Sequence, residues 1–214
     1  MAGVQWYVSS AYKKWNQKPV KSGLTGAQAA QRLISRGGLY EVKIEGIRGN
    51  LTDHYDPRNK ILALSQGVYQ NSSVASLAIT AHELGHAMQD KEGYGPLRLR
   101  AALIPAVNIG SYLGWILIFL GMLLRFTELA RLSVIVFSGG ALFSLATIPV
   151  ELNASARAKR LLTETGLVMG EEEQQGVNKV LNAAALTYVA ALATAVLQLL
   201  YFVSVVIGMG GRRR

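Results

Sequence analysis

The sequence has no cysteine. No disulfide can form, which agrees with a reducing, cytosolic face, and zinc sites built from thiolates are excluded. Charge is scarce as well. Asp, Glu, Lys and Arg make up 16% of the 214 residues, against about 25% in an ordinary soluble domain. Acidic residues are fewer than basic ones, 13 against 22, so the net charge is +9. A basic balance suits nucleic acid, an anionic membrane surface, or the cytoplasmic loops of a membrane protein. No aromatic-rich RNA signature or zinc finger accompanies it, so nucleic acid is not an expected partner. No internal repeat, low-complexity tract or cleavable signal peptide is visible. The opening "MAGVQWYVSSAYKKWNQ" lacks a long apolar core, although Val4, Trp6, Tyr7 and Val8 give it a short apolar face suited to a membrane surface.

Where charge is missing, apolar residues accumulate. No Asp, Glu, Lys or Arg occurs in 101–124, 132–150 or 180–211. A helix needs about 20 apolar residues to cross a bilayer, and each run reaches or nearly reaches that length. Three such runs exceed what the core of so short a chain needs. The Lys and Arg residues lie outside them, as in a membrane protein. The expected fold class is therefore a mostly α integral membrane protein with about three transmembrane helices.

The polar remainder has its own punctuation. "GLTGAQAAQRLISRGGL" reads as a helix capped by Thr25 and stopped at Gly37 or Gly38. "YEVKIEGI" alternates like a strand. "LTDHYDPRNKILALS" reads as two extended pieces around a turn at "DPRN", with Asp53 and Asp56 as turn formers. "NSSVASLAITAHELGHAMQDKEG" is a helix of about 18 residues, capped by Ser72 or Ser73 and ended before Gly93. "RFTELAR" is expected as a polar turn between the first two apolar runs, and Glu171, Glu172 and Glu173 suit a helix start.

The long helix holds "HELGH", with two of the chain's three histidines. Residues four apart share a helix face. His82 and His86 therefore project together and can both reach one metal ion. Glu83 points to a different angle, where it can touch water beside that ion. Two imidazole ligands and a carboxylate base are the physical content of H-E-x-x-H. Zinc lowers the pKa of water, and the glutamate takes the proton as the water attacks a carbonyl. Gly85 leaves room for another chain element to approach the helix.

Catalytic zinc commonly keeps three protein ligands. His54 is one candidate for the third. The H-x-x-G-x-x-H extension is absent, which favours a carboxylate, and Glu151 in "TIPVELNASARA" fits best. One apolar run leaves the histidine side of the membrane and the next returns to it. Glu151 then emerges where His82 and His86 lie.

The stretches "GLTG", "LTDHYDPR", "AHELGHAMQ", "EGYGPLRLRAALIPAVNIGS", "PVELNASARA" and "LNAAALTYVAA" occur here in order. Together they resemble the bacterial neutral zinc metallopeptidase family, the YugP-like membrane peptidases, from about Ser22 to Ala191. The resemblance implies a membrane-embedded zinc endopeptidase of the bacterial cell membrane, distantly similar to HtpX-like and CAAX-prenyl-type peptidases. It implies one Zn²⁺ per chain and a small α+β zincin-like domain at the membrane face. In those relatives the third ligand is a downstream glutamate followed by Ala and Asp at offsets three and four. Here Glu151 is followed by Ala154 and Ser155, so the aspartate is replaced. Family members usually begin with an apolar anchor ahead of the "QW" region, and this sequence starts almost at that region.

The expected organisation follows. Residues 1–22 are a basic lead-in, and 23–100 form the zincin-like domain with the H-E-x-x-H helix at about 72–91. Residues 101–150 are a transmembrane hairpin, and 151–179 a polar helical segment with the third zinc ligand. Residues 180–211 form a further transmembrane helix, and 212–214 a basic tail. His82, His86 and Glu151 are the expected zinc ligands and Glu83 the general base. His54 and Tyr188 are candidates to polarise the scissile carbonyl, with Asn182 beside Tyr188. Arg157 is a candidate to anchor substrate or to pair with a carboxylate. "GSYLG" at 110–114 matches a small-residue helix-contact pattern. Expected partners are the lipid bilayer and a peptide or membrane-protein substrate, with a second copy or a membrane partner protein left open. The positive-inside rule places the active site in the cytoplasm. The rival readings are a membrane scaffold with a structural zinc, and a lipid-surface-binding protein that needs no metal.

Overall fold

The computed structural model describes residues 2–211, and the expected basic tail at 212–214 lies outside them. The chain divides into two compact units, one built from residues 2–94 and 150–187, the other from 95–149 and 188–211.

The first unit is a small α+β body. It opens with a helix, α1 (Ala2–Asn16), where the sequence suggested only a polar lead-in. The helix forms because Trp15 is buried and Tyr12 packs against the core, which outweighs its polar composition. Trp6 is 72% exposed, so the apolar residues of the first turns take no part in that core. Next comes α2 (Gly26–Gly37). Thr25 and Gln28 form a reciprocal capping box, and Gly38 closes the helix in the left-handed conformation at φ 62°. Ala29, Ala30, Leu33 and Ile34 are its buried stripe. Thr25→Ala is expected to cost about 1 kcal/mol by removing the cap, measurable by thermal or denaturant melting.

Three short strands follow: β1 (Lys43–Ile47), β2 (His54–Asp56) and β3 (Ile61–Ser65). Their order in the sheet is β1-β3-β2, with β1 parallel to β3 and β2 antiparallel to it. The DPRN segment turns as expected. Asp56 accepts from the backbone N–H of Arg58 at 2.8 Å and from the Asn59 side chain at 2.7 Å. Asp53 does more than form a turn, because its carboxylate accepts from both the N–H and the hydroxyl of Ser65 at 2.7 and 3.0 Å. Leu62 and Leu64 of β3 are fully buried against the helices. A short helix, α3 (Gln66–Gln70), then leads into α4 (Val74–Lys91). Ser73 caps α4 by accepting from the N–H of Ser76 at 3.1 Å.

The core of this unit joins distant parts of the sequence. Ala158, Leu161, Leu162, Leu167, Val168, Val177 and Leu181 pack in one cluster with Leu33, Leu62, Leu77 and Leu84. Burial of each leucine contributes about 1.5–3 kcal/mol. Glu173, 5% exposed, accepts from the backbone N–H of Lys21 and of Met169 at 2.7 and 2.6 Å.

The second unit is helical. It contains α5 (Gly95–Leu123), the first part of α6 (Thr127–Glu164) and the last part of α7 (Gly170–Gly211). All three helices are long and apolar enough to cross a membrane. Only 11–17% of their most apolar windows is buried, so Tyr112, Phe119, Ile135, Leu142, Leu197 and Ile207 face outward. An exposed apolar surface of this extent suits lipid, not water. Phe202, which is buried, stacks on the half-buried Phe137 at 4.5 Å between ring centroids, and the exposed Trp115 meets the two rings edge-on at 5.3 and 5.6 Å. The expected polar turn is shorter than the sequence suggested. "TELAR" is helical, and Arg131 pairs with Glu128 at 2.8 Å across one turn of α6. α6 also continues unbroken through Pro149, which removes one backbone hydrogen bond two residues before Glu151.

Candidate metal centre

The centre is built on α4 and the second half of α6, both within the first unit. The four-residue spacing brings the His82 and His86 rings to 4.9 Å between centroids. Glu151 meets them from α6 with a side chain only 2% exposed. Its Oε2 stands 3.2 Å from His82 Nε2 and 3.5 Å from His86 Nε2. One ligand atom from each of the three residues lies within 4.8 Å of the others.

These residues fit a zinc ion on the chemistry and spacing of their donors. Two imidazole nitrogens and a carboxylate oxygen are a three-ligand set that leaves one position open. Ligand atoms about 2.1 Å from a tetrahedral ion stand about 3.4 Å from one another, close to the two separations found here. The other ring nitrogens are engaged elsewhere. His82 Nδ1 lies 3.2 Å from the Ser155 hydroxyl, and His86 Nδ1 lies 3.0 Å from Gln89 Oε1. Ser155 occupies the position where the resemblance anticipates aspartate, and it still reaches the histidine. Outer partners of this kind fix ring orientation.

Glu83 shares α4 with the histidines but stands outside the three-ligand group. Its Oε2 accepts from the backbone N–H of Tyr55 at 3.1 Å. Loss of hydration raises the Glu83 carboxyl above its ordinary value, against the pull of His82 and His86. Tyr55 also fixes the strand to the helix. Its hydroxyl donates to Asp90 at 2.8 Å, and Lys60 joins the same carboxylate at 2.6 Å. Strand β2, at the sheet edge, is thereby held beside the base.

His54 is exposed on β2, with its Nδ1 2.9 Å from the Thr52 carbonyl, and is not part of the ligand group. Tyr188 falls in the second unit. Asn182 faces Lys159 at 3.4 Å. Arg157 takes the carboxylate role of its two expected ones, making a two-pronged ion pair with Glu92 at 2.6 and 2.7 Å. Its guanidinium also lies 5.9 Å from the Tyr94 ring centroid. Two contributors escaped the sequence reading, Gln89 and Tyr55. Gln89 carried a signal, since it lies three residues beyond His86 on the same face of the helix.

A helix-borne His-Glu-x-x-His, a carboxylate brought to it from a later helix, and three helices of membrane length define a membrane protein with a metallopeptidase-type centre. The sequence model of the family described as "Putative neutral zinc metallopeptidase" matches residues 1–207, and the chain belongs to that family. Over 201 residues it is 45% identical to a Bacillus subtilis (strain 168) protein named "Putative membrane protease YugP", an alignment covering 94% of this chain and 89% of the relative. No solved structure matches.

Proposed function

We propose that this protein is a zinc-dependent endopeptidase that hydrolyses peptide bonds in membrane or membrane-adjacent proteins, with one zinc per chain. The observation that carries the reading is the convergence of His82, His86 and Glu151 beside Glu83. His82 and His86 would hold the ion through Nε2, and Glu151 through a carboxylate oxygen. Zinc bound there would acidify water and polarise a peptide carbonyl. Glu83 accepts the proton of the attacking water and returns it to the departing amine. Strand β2 offers main-chain groups at a sheet edge next to this base, a setting that suits an extended peptide. His54, exposed on that strand, is our candidate to donate to the developing oxyanion.

The chain would cross the bilayer three times. Seventeen of its 22 Lys and Arg residues lie in 1–100 and 151–182, and five in the remaining segments. The positive-inside rule then favours a cytoplasmic active site.

The test is the zinc content of detergent-purified protein, wild type beside Glu151→Ala. About one zinc per chain in the wild type and a clear loss in the variant is the expected result. Zinc retained in full by the variant would remove Glu151 from the ligand set and return His54 to consideration.

A further inference from the structure

Gln89 is fully buried one turn beyond His86, and a buried amide must find partners for all of its polar atoms. Its partners impose a direction. The Val150 carbonyl can only accept, so the Gln89 amide nitrogen faces it at 2.8 Å. The same nitrogen donates to Asn153 Oδ1 at 3.0 Å. Asn153 is itself oriented by Arg157 Nε, a pure donor, at 2.7 Å, and Arg157 is gripped by Glu92. With its nitrogen committed, Gln89 turns its oxygen to His86 Nδ1 at 3.0 Å. An amide oxygen only accepts. A proton on Nδ1 is therefore held by this bond, and Nε2, 3.5 Å from Glu151 Oε2, is the nitrogen that would face the ion. His82 has no such constraint, because its Nδ1 partner is the Ser155 hydroxyl, which can donate or accept.

We propose that Gln89 is a positioning residue of the metal centre. It fixes His86 in the metal-binding tautomer and ties it to α6 on both sides of Glu151, through the Val150 carbonyl and the Asn153 side chain. One side chain thus sets the geometry of two ligands that lie far apart in the sequence. The inference rests on the zinc-centre reading given above.

The test uses the full-length protein in detergent as wild type, Gln89→Leu, Gln89→Glu and Asn153→Ala. Zinc affinity is measured by competition with a chromophoric chelator, ligand geometry from the visible absorption of the cobalt-substituted protein, and apo stability by melting. Gln89→Leu is expected to lower zinc affinity about 10–100-fold and to alter the cobalt bands. Gln89→Glu restores an acceptor for Nδ1–H but cannot donate to Val150. It should bind zinc close to wild type while its apo form melts lower. Asn153→Ala removes one of the two anchors from the amide and should give an intermediate loss. As a smaller change on a partly exposed residue, it keeps the test open if Gln89→Leu does not fold. Wild-type affinity in both Gln89→Leu and Asn153→Ala would overturn the inference, as would Gln89→Glu binding as weakly as Gln89→Leu, since the role would then be packing alone. Wild-type protein that takes up neither zinc nor cobalt would overturn the zinc centre itself, and this inference with it.

Discussion

Replacing Glu83 by Gln is expected to remove peptide-bond hydrolysis while leaving zinc in place. Glu83 contributes no atom to the His82–His86–Glu151 group, so the ligand set survives the change. Glutamine keeps the shape of the side chain and an oxygen able to accept from the Tyr55 N–H. It cannot take a proton at neutral pH. Loss of a positioned general base typically costs about 10²–10⁴-fold in rate. The measurement pairs cleavage of an unfolded protein substrate in detergent with zinc content on the same preparation. Normal cleavage in the variant, with every associated phenotype unchanged, would sink the enzyme reading. It would favour a membrane scaffold that keeps zinc for structural reasons.

Gly85→Ala should be damaging at a position where helix propensity alone predicts a gain. Alanine is favoured over glycine inside a helix by about 1 kcal/mol. Here α6 lies directly on Gly85, and a Cβ at this position would overlap the backbone carbonyl of Ala154. A flexible side chain could move aside, whereas a helix backbone moves only with its neighbours. Overpacking of this kind costs about 1–3 kcal/mol. Ala154 is flanked by Asn153 and Ser155 and sits one turn from Glu151, so the displacement reaches the centre. The expected result is a lower melting temperature together with weaker zinc binding. A variant as stable as wild type, or more so, would show that the two helices separate easily and that the contact is not needed.

Much of this was legible in the sequence because the signals are local. Thr25, Gln28 and Gly38 mark both ends of α2, Ser73 starts α4, and Asp56 with the residues after it makes the turn between β2 and β3. The pairing of His82 with His86 needs only the helical period. Glu151 was reachable because apolar runs of membrane length constrain where the chain returns. Other features depend on partners far along the sequence and leave no local trace. α1 looks polar until Trp15 is given a core to enter. The parallel pairing of β1 with β3 skips over β2. The series Glu92–Arg157–Asn153–Gln89–His86 passes back and forth between α4 and α6, and no periodicity announces it.

The discontinuity of the first unit has a consequence for how the protein is made. Its segments 2–94 and 150–187 share one core, and residues 95–149 of the other unit are synthesised between them. At about 5–20 residues per second the ribosome needs roughly 3–11 s to cross that interval. During this time Leu33, Leu62, Leu77 and Leu84 lack the side chains from Ala158 onward that share their core in the finished fold. The two histidines emerge from the ribosome well before Glu151 exists. The His82–His86–Glu151 group can therefore close only after the whole of 95–149 has been synthesised.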